Sequence, residues 1–252
     1  MFDLTGRVAI VTGGNGGIGL GMAKGLAIAG ARIVVAARDA AKSQAAVAEL
    51  RALGSDALAI EADVTDEASV NALVAQTVQR CGRLDILVNN AGTNIRKPVQ
   101  DLELAQWQQV MDTNLTSAFL CSRAAYPHLK SAGGGKVINI GSMLSIFGAA
   151  YAPAYSASKG GIVQLTKSLA VAWAADNIQV NAVLPGWVDT ALTRKARAEV
   201  PSLNERVLSR SPTGRWGVAA DFEGIAVFLA SAQSDFVTGT AIPVDGGYSS
   251  VG

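Results

Sequence analysis

Seven short runs of Val, Ile and Ala, separated by longer stretches with helical periodicity, constrain this 252-residue chain more than anything else in it. Runs that are apolar at consecutive positions, rather than at every second one, belong to strands covered on both faces. Strands spaced by helix-length segments belong to a parallel sheet with crossover helices. The runs lie near 7–12, 32–37, 56–61, 85–88, 136–140, 178–184 and 240–244, and the helical stretches near 17–30, 40–54, 66–81, 103–130, 154–176 and 219–231. Because such crossovers are right-handed, the expected product is a single-domain α/β protein: a doubly wound parallel sheet of about seven strands with helices on both faces. Ligands of that architecture bind beyond the carboxyl ends of the strands, where the strand order reverses. No repeat, low-complexity tract or Pro/Ser-rich linker divides residues 1–252. One segment, about 186–216, is more charged than the rest and is expected to form a mobile lid over the site.

Charge is nearly balanced, 21 basic residues against 20 acidic, with no Lys/Arg run. Nucleic acid and anionic membranes are therefore not expected partners, whereas small molecules and further copies of the chain are. Cys81 and Cys121 are too few for a disulfide framework and have no metal-ligand spacing around them. Both read as reduced packing residues of a cytoplasmic protein, and no metal is expected. The start, MFDLTGRVAIVTGG, carries an acid at position 3 and only four apolar residues before its glycines, unlike a signal or transit peptide. No apolar stretch approaches the roughly 20 residues of a membrane-spanning helix.

The first strand runs directly into TGGNGGIG at 12–19 and then into a helix. Glycines let a backbone turn sharply and approach a pyrophosphate, while free N–H groups and the positive end of the helix attract phosphate. The spacing Gly13, Gly17, Gly19 is one residue wider in its first gap than the usual dinucleotide fingerprint, and such a turn can also be only a tight strand-to-helix connection. Further motifs follow in order: Asp63 in ADVTD, NNAG at 89–92, Asn114 in DTNLTSAF, Ser142 in INIGS, YxxxK at 155–159, PGWVDT at 185–190 and VDGGY at 244–248. Together with the turn they resemble the short-chain dehydrogenase/reductase family over the whole chain. The resemblance implies a Rossmann fold and an oxidoreductase that moves a hydride between a nicotinamide and an alcohol or ketone.

Hydride transfer to a ketone needs a group that donates a proton to the forming alkoxide, and tyrosine, with a pKa of about 10, is a weak base unaided. Tyr155 and Lys159 are four apart, so a helix puts both on one face, where an ammonium is expected to stabilise the phenolate. The resemblance implies that Tyr155 is the acid/base, that Lys159 also holds the nicotinamide ribose, that Ser142 hydrogen-bonds the substrate oxygen, and that Asn114 anchors a water leading from Lys159 to solvent. His128, the only histidine, sits late in an expected helix, and no serine has a G-x-S-x-G elbow, so a Ser-His-Asp hydrolase is excluded. A non-catalytic dinucleotide sensor would be expected to lack Tyr155 or Lys159.

The resemblance places a dinucleotide on Gly13, Asn15, Gly17, Ile18 and Gly19, with Asp63 and Val64 at the adenine, Asn89, Ala91 and Gly92 after the fourth strand, and Pro185, Gly186, Val188 and Thr190 at the carboxamide. PGWVDT can also serve as a helix start. Where NAD-preferring relatives carry Asp at the end of the second strand, this chain has Ala37 followed by Arg38. That favours NADP(H), with NAD(H) possible. Against it stand Gly16, a position often basic in NADP-preferring relatives, and Asp39, read here as a helix N-cap.

Arg96 and Lys97 lie on the loop after the fourth strand and can receive a carboxylate or be solvated cations. Their surroundings, and SPTGRWGVAADFEGIAVFLAS near the end, resemble the gluconate and deoxygluconate dehydrogenases of the family. Ser145, Ile146, Phe147, Tyr151 and Trp187 are expected to complete the substrate wall. A sugar acid or polyol is therefore the expected substrate. Broad carbonyl or 3-oxoacyl thioester reduction, with Arg96, Arg194, Lys195 and Arg197 at a carrier, is the alternative. Small and apolar residues on several faces of 103–130 and 154–176, and the tail from Ile242, point to a homotetramer.

Overall fold

The computed structural model describes residues 2–251. Its sheet has seven strands, all parallel: β1 Val8–Thr12, β2 Arg32–Ala37, β3 Leu58–Glu61, β4 Ile86–Asn89, β5 Gly135–Ile140, β6 Ile178–Pro185 and β7 Ala241–Val244. They lie in the order β3-β2-β1-β4-β5-β6-β7, so the connections reverse direction between β1 and β4. All five residues of β1 are buried. Ala9 and Val11 point to one face, against α1 (Gly17–Ile28), α2 (Ala40–Ala52) and α9 (Glu223–Ala230); Val8 and Ile10 point to the other, against α3 (Glu67–Cys81) and the helix at Ser117–Ser131. A fully buried Val, Ile or Leu contributes about 1.5–3 kcal/mol relative to an exposed one, which is why consecutive apolar residues, and not alternating ones, select a sheet covered on both sides.

The expected helix at 103–130 is interrupted. α4 (Leu104–Met111) widens into a π-helical turn at Asp112–Thr116 before α5 (Ser117–Ser131). The wider turn is stabilised by contacts outside the helix ladder: Asn114 bonds Thr93 and Ser158, and the Thr113 and Ser117 hydroxyls donate back to the Gln109 and Thr113 carbonyls. Such turns tend to mark functional positions, and this one carries Asn114 into the interior at 2% exposure.

The segment at 186–216 holds two helices. Thr190 caps α7 (Ala191–Glu199), and α8 (Leu203–Arg210) follows. Together they bury Ala196, Leu203, Val207 and Trp216 in a small cluster of their own. A parallel bridge between Val188 and Gly217 closes the excursion at its base. The helix α6 (Pro153–Trp173) passes along the sheet from the site end. Among the described residues no helix is long and apolar enough to cross a membrane.

Candidate active site

The reversal between β1 and β4 is held open by a polar clasp. The Thr12 hydroxyl donates to the Val88 carbonyl (3.2 Å) and accepts from the backbone N–H groups of Asn90 and Ala91. The Asn90 amide donates to the carbonyls of Thr12 (2.9 Å) and Gly13 (3.1 Å). Gly13 (φ 63°) and Gly17 (φ 53°) lie in the left-handed region that favours glycine. Asn15 donates to Ser43 of α2, fixing the turn from its far side. The helix α1 starts with no side-chain cap and no acid in its first turn, so its leading amides face a cavity of about 340 Å³ without a side-chain acceptor. Gly13, Asn15, Gly17, Ile18, Ala91, Gly92, Tyr155, Lys159, Pro185, Gly186, Val188 and Thr190 all line this cavity.

Tyr155 and Lys159 sit on the first turns of α6 with Pro153 at its start, where the missing N–H of proline costs no hydrogen bond. Lys159 is buried, and its ammonium donates to the Ile140 carbonyl at 2.6 Å. Burial lowers its pKa from 10.5 to about 8. The Tyr155 phenol is enclosed between the cavity walls. Desolvation pushes its pKa above the ordinary value, while a hydrogen bond with Ser142 acts in the opposite sense. The Lys159 ammonium lies 5.6 Å from the Tyr155 ring centroid. Ser142 follows β5 and caps the short turn Met143–Ser145, accepting from the Leu144 N–H. Its own N–H donates to Ser145, whose hydroxyl donates to the Lys159 carbonyl, so the serine loop is locked onto α6. A Cβ on Gly92 would stand 3.4 Å from Asn114 Oδ1 and 3.7 Å from Lys159 Nζ, so the missing side chain leaves open space between the two.

Lys159 gives a measurable pH signature. Its proton is held less tightly in the folded chain (about 8) than at the ordinary value of 10.5. Between those pH values unfolding takes up protons, so the folded state gains stability as pH rises through the window. From pH 7.5 to 9.5 the parent should gain about 2 kcal/mol relative to Lys159→Met in urea unfolding. A constant difference between the two proteins would mean that Lys159 titrates near its ordinary value.

A second cavity, of about 710 Å³, meets the first at Ser142, Tyr155, Pro185 and Gly186. Arg96, Lys97, Tyr151 and Trp187 line it. The Arg96 guanidinium carbon stands 4.1 Å over the Tyr151 ring, and its Nε is 3.8 Å from Glu199 at the end of α7. Lys97 lies 3.9 Å from Glu103, and Trp187 packs edge-on against Trp216.

A family profile described as enoyl-(acyl carrier protein) reductase matches residues 13–249. The 2-dehydro-3-deoxy-D-gluconate 5-dehydrogenase of Escherichia coli (strain K12) is 43% identical over 248 residues, 98% of this chain and 97% of that protein. The chain belongs to the short-chain dehydrogenase/reductase family. Cis-4-hydroxycyclohexanecarboxylate dehydrogenase of Sinomonas cyclohexanicum is 41% identical over 247 residues, 97% of each chain. A crystal structure of a gluconate 5-dehydrogenase from Burkholderia cenocepacia J2315 in complex with NADP and tartrate superposes with a TM-score of 0.95 at 39% identity, covering 100% of this chain and 98% of that one.

As a short-chain dehydrogenase/reductase, the protein is an oxidoreductase of the CH–OH class. Several residues marked in its sequence stand outside the two cavities. The Asn89 side chain turns into the core and donates to Ser122 and Asn139. Asn90, one residue on and facing the opposite way, is the one that reaches the glycine turn. Strand alternation carries the signal that distinguishes them. Gly19 is needed for close packing: a Cβ there would meet the Gly13 carbonyl at 2.5 Å. The Arg38 side chain is 78% exposed, with Nη1 3.9 Å from Asp63. The backbone N–H of Thr65, followed by its hydroxyl, holds the Asp63 carboxyl below its usual range, and Val64 is buried. Asp39 is the N-cap of α2, accepting from the Lys42 N–H. Ser145 is turned to Lys159, and Ile146 is exposed, so neither forms the substrate wall expected of them.

Lys42 escaped the sequence reading. Its Nζ lies 2.8 Å from where a Cβ on Gly16 would stand, and the side chain lines the smaller cavity. α2 thus brings a cation to the space beside Gly16, which no local spacing signals.

Proposed function

We propose that the protein is an NADP(H)-preferring dehydrogenase of sugar acids that interconverts a secondary alcohol of a polyhydroxy carboxylate and its ketone, with NAD(H) accepted less well. The observation that carries this reading is the charge of the larger cavity: Arg96, Lys97, Lys195, Arg206 and Arg210 line it against the single carboxylate of Glu199. A buried acceptor, Asn94 Oδ1, has no hydrogen-bond partner among the described residues and belongs to a residue lining the same cavity, as a polyol hydroxyl would require. The relatives named for gluconates and for a cyclohexanecarboxylate act on different rings and chains that share a carboxylate.

The smaller cavity fits a dinucleotide: two glycines in left-handed conformation, uncapped amides at the start of α1, and the Lys42 cation lining it on the β2–α2 side, where a 2′-phosphate is read, with the exposed Arg38 beyond its edge. When bound, that group supplies the hydride donor or acceptor. The chain's own residues do the rest. Tyr155 gives a proton to the ketone oxygen, or takes it from the alcohol, at its phenol oxygen. Ser142 hydrogen-bonds the same oxygen from the other cavity wall. Lys159 holds positive charge beneath the pair and would hold the ribose of the bound group. Asn114 fixes the loop after β4 against α6 and leaves the space beside Gly92 for a proton path to solvent. The α7–α8 segment acts as the lid. Copies assemble into a tetramer through α4, α5 and α6, where Leu104, Phe119 and Val171 are exposed (80%, 42% and 83%).

The test is nicotinamide absorbance with NADPH and NADH over keto sugar acids, cyclic ketones and β-ketoesters. Turnover concentrated on the acids is expected, with a preference for NADPH that Lys42→Ala lowers by about tenfold, the size of one charge-assisted contact. Activity spread evenly over uncharged ketones would replace this reading with broad carbonyl reduction.

A further inference from the structure

Arg210 closes α8 and lines the larger cavity. Its guanidinium carbon stands 4.5 Å from the Tyr248 ring centroid and 5.0 Å from that of Phe147. The two rings meet edge to face, with centroids 6.5 Å apart, and both line the same cavity. Phe147 comes from the turn after β5 and Tyr248 from the chain's end, so three separate parts of the fold converge on this one cation.

Other partly buried arginines nearby have acids: Arg197 of the lid pairs with Asp189, and Arg96, on the loop after β4, with Glu199. Arg210 has no carboxylate partner among the described residues. A stacked guanidinium uses its faces for the rings and keeps the N–H edge for a planar acceptor. Its side chain is also held in place before any ligand arrives, which removes part of the ordering cost of binding. Arg206, one turn earlier on the same helix, lines the cavity as well and also lacks an acid among the described residues. Like charges four apart weaken a helix, so the pair works against α8 unless an anion sits between α8 and the site. A cation at a helix carboxyl end is favourable in its own right, but that effect asks only for a solvated side chain, not one folded across α8 onto two rings of other elements.

We infer that Arg210 receives the substrate's carboxylate, with Arg206 beside it, and that Arg96 is chiefly the link between the loop after β4 and Glu199 of the lid. The inference rests on the sugar-acid reading and deepens it. It places the acid group of the substrate against Phe147 and Tyr248, and the carbon that is oxidised or reduced toward Ser142 and Tyr155.

Calorimetric binding of D-gluconate and of D-glucitol, in which a hydroxymethyl replaces the carboxylate, to the NADPH-loaded protein tests it. The parent should bind gluconate far more tightly than glucitol. Arg210→Gln should weaken gluconate by about 30- to 100-fold, the range for a lost charge-assisted pair, and leave glucitol unchanged. Arg210→Lys should recover part of the loss, and Arg96→Gln should change gluconate binding by less than about fivefold on the same scale. Melting temperatures of the variants identify any that fail to fold, and Arg210→Lys then decides. If Arg210→Gln weakens both ligands equally, or neither, or if Arg96→Gln takes the whole loss, the assignment to Arg210 is wrong while the sugar-acid reading survives. If the parent itself does not distinguish gluconate from glucitol, both fall together.

Discussion

Replacing Tyr155 by phenylalanine should lower turnover by about 10²–10⁴-fold, the usual worth of a positioned acid/base group, while NADPH still binds. Among the described residues its phenol lines both cavities together with the hydroxyls of Ser142 and Thr193; the Thr193 hydroxyl already donates to the Val188 carbonyl, and that of Ser142 accepts from the Leu144 N–H. Phenylalanine keeps the ring and the wall between the cavities, so the loss reads the hydroxyl alone. Because burial raises the phenol's pKa, alcohol oxidation by the parent should also accelerate as the solution becomes alkaline. Steady-state rates with the best acid substrate, and cofactor fluorescence for binding, check both. A variant within tenfold of the parent would leave the proton to another group.

The largest loss of stability should come from Gly21→Ala. A Cβ at Gly21 would stand 2.1 Å from the carbonyl oxygen of Ala219, and one at Gly25 would stand 2.7 Å from that of Glu223. Both partners are backbone, which cannot yield by changing rotamer. The two glycines are one turn apart on α1 and form a flat strip against the short turn Ala219–Phe222 and the start of α9. Overpacking there should cost about 3 kcal/mol or more, the upper part of the range for inserted methyl groups, and should lower cofactor affinity as well, since displacing α1 moves the glycine turn at its head. Gly224→Ala is the contrast: nothing lies within 4 Å of a Cβ there, and helix propensity predicts a gain of about 0.5–1 kcal/mol. Urea unfolding of both variants settles the matter, and equal midpoints would mean that α1 shifts without cost.

The sheet and the reacting pair were legible in the sequence because each depends on short-range pattern. Doubly covered strands are apolar at consecutive positions, and four residues on a helix return Lys159 to the face of Tyr155. What could not be read depends on partners far along the chain. The sequence around Asn114 keeps helical periodicity throughout, and the bonds that carry Asn114 into the interior go to Thr93 and Ser158, 21 and 44 residues away. α7 and α8 are short and carry charges on their outer faces, so their apolar residues make sense only once Trp187 and Trp216 are brought together. Lys42 and Arg210 look like ordinary helix cations until the fold sets one over Gly16 and the other between two rings.

The bridge between Val188 and Gly217 brings both ends of the α7–α8 excursion to one point on the scaffold. A loop with tied ends can change length at small entropic cost, about 0.6 kcal/mol for each doubling. The strands and the glycine turn lie outside it. Residues 194–216 can therefore vary in length and sequence without disturbing the glycine turn, whereas Thr190, at the start of the excursion, also lines the smaller cavity and is expected to stay fixed. Divergence among relatives should then accumulate in this stretch faster than in the sheet beneath it.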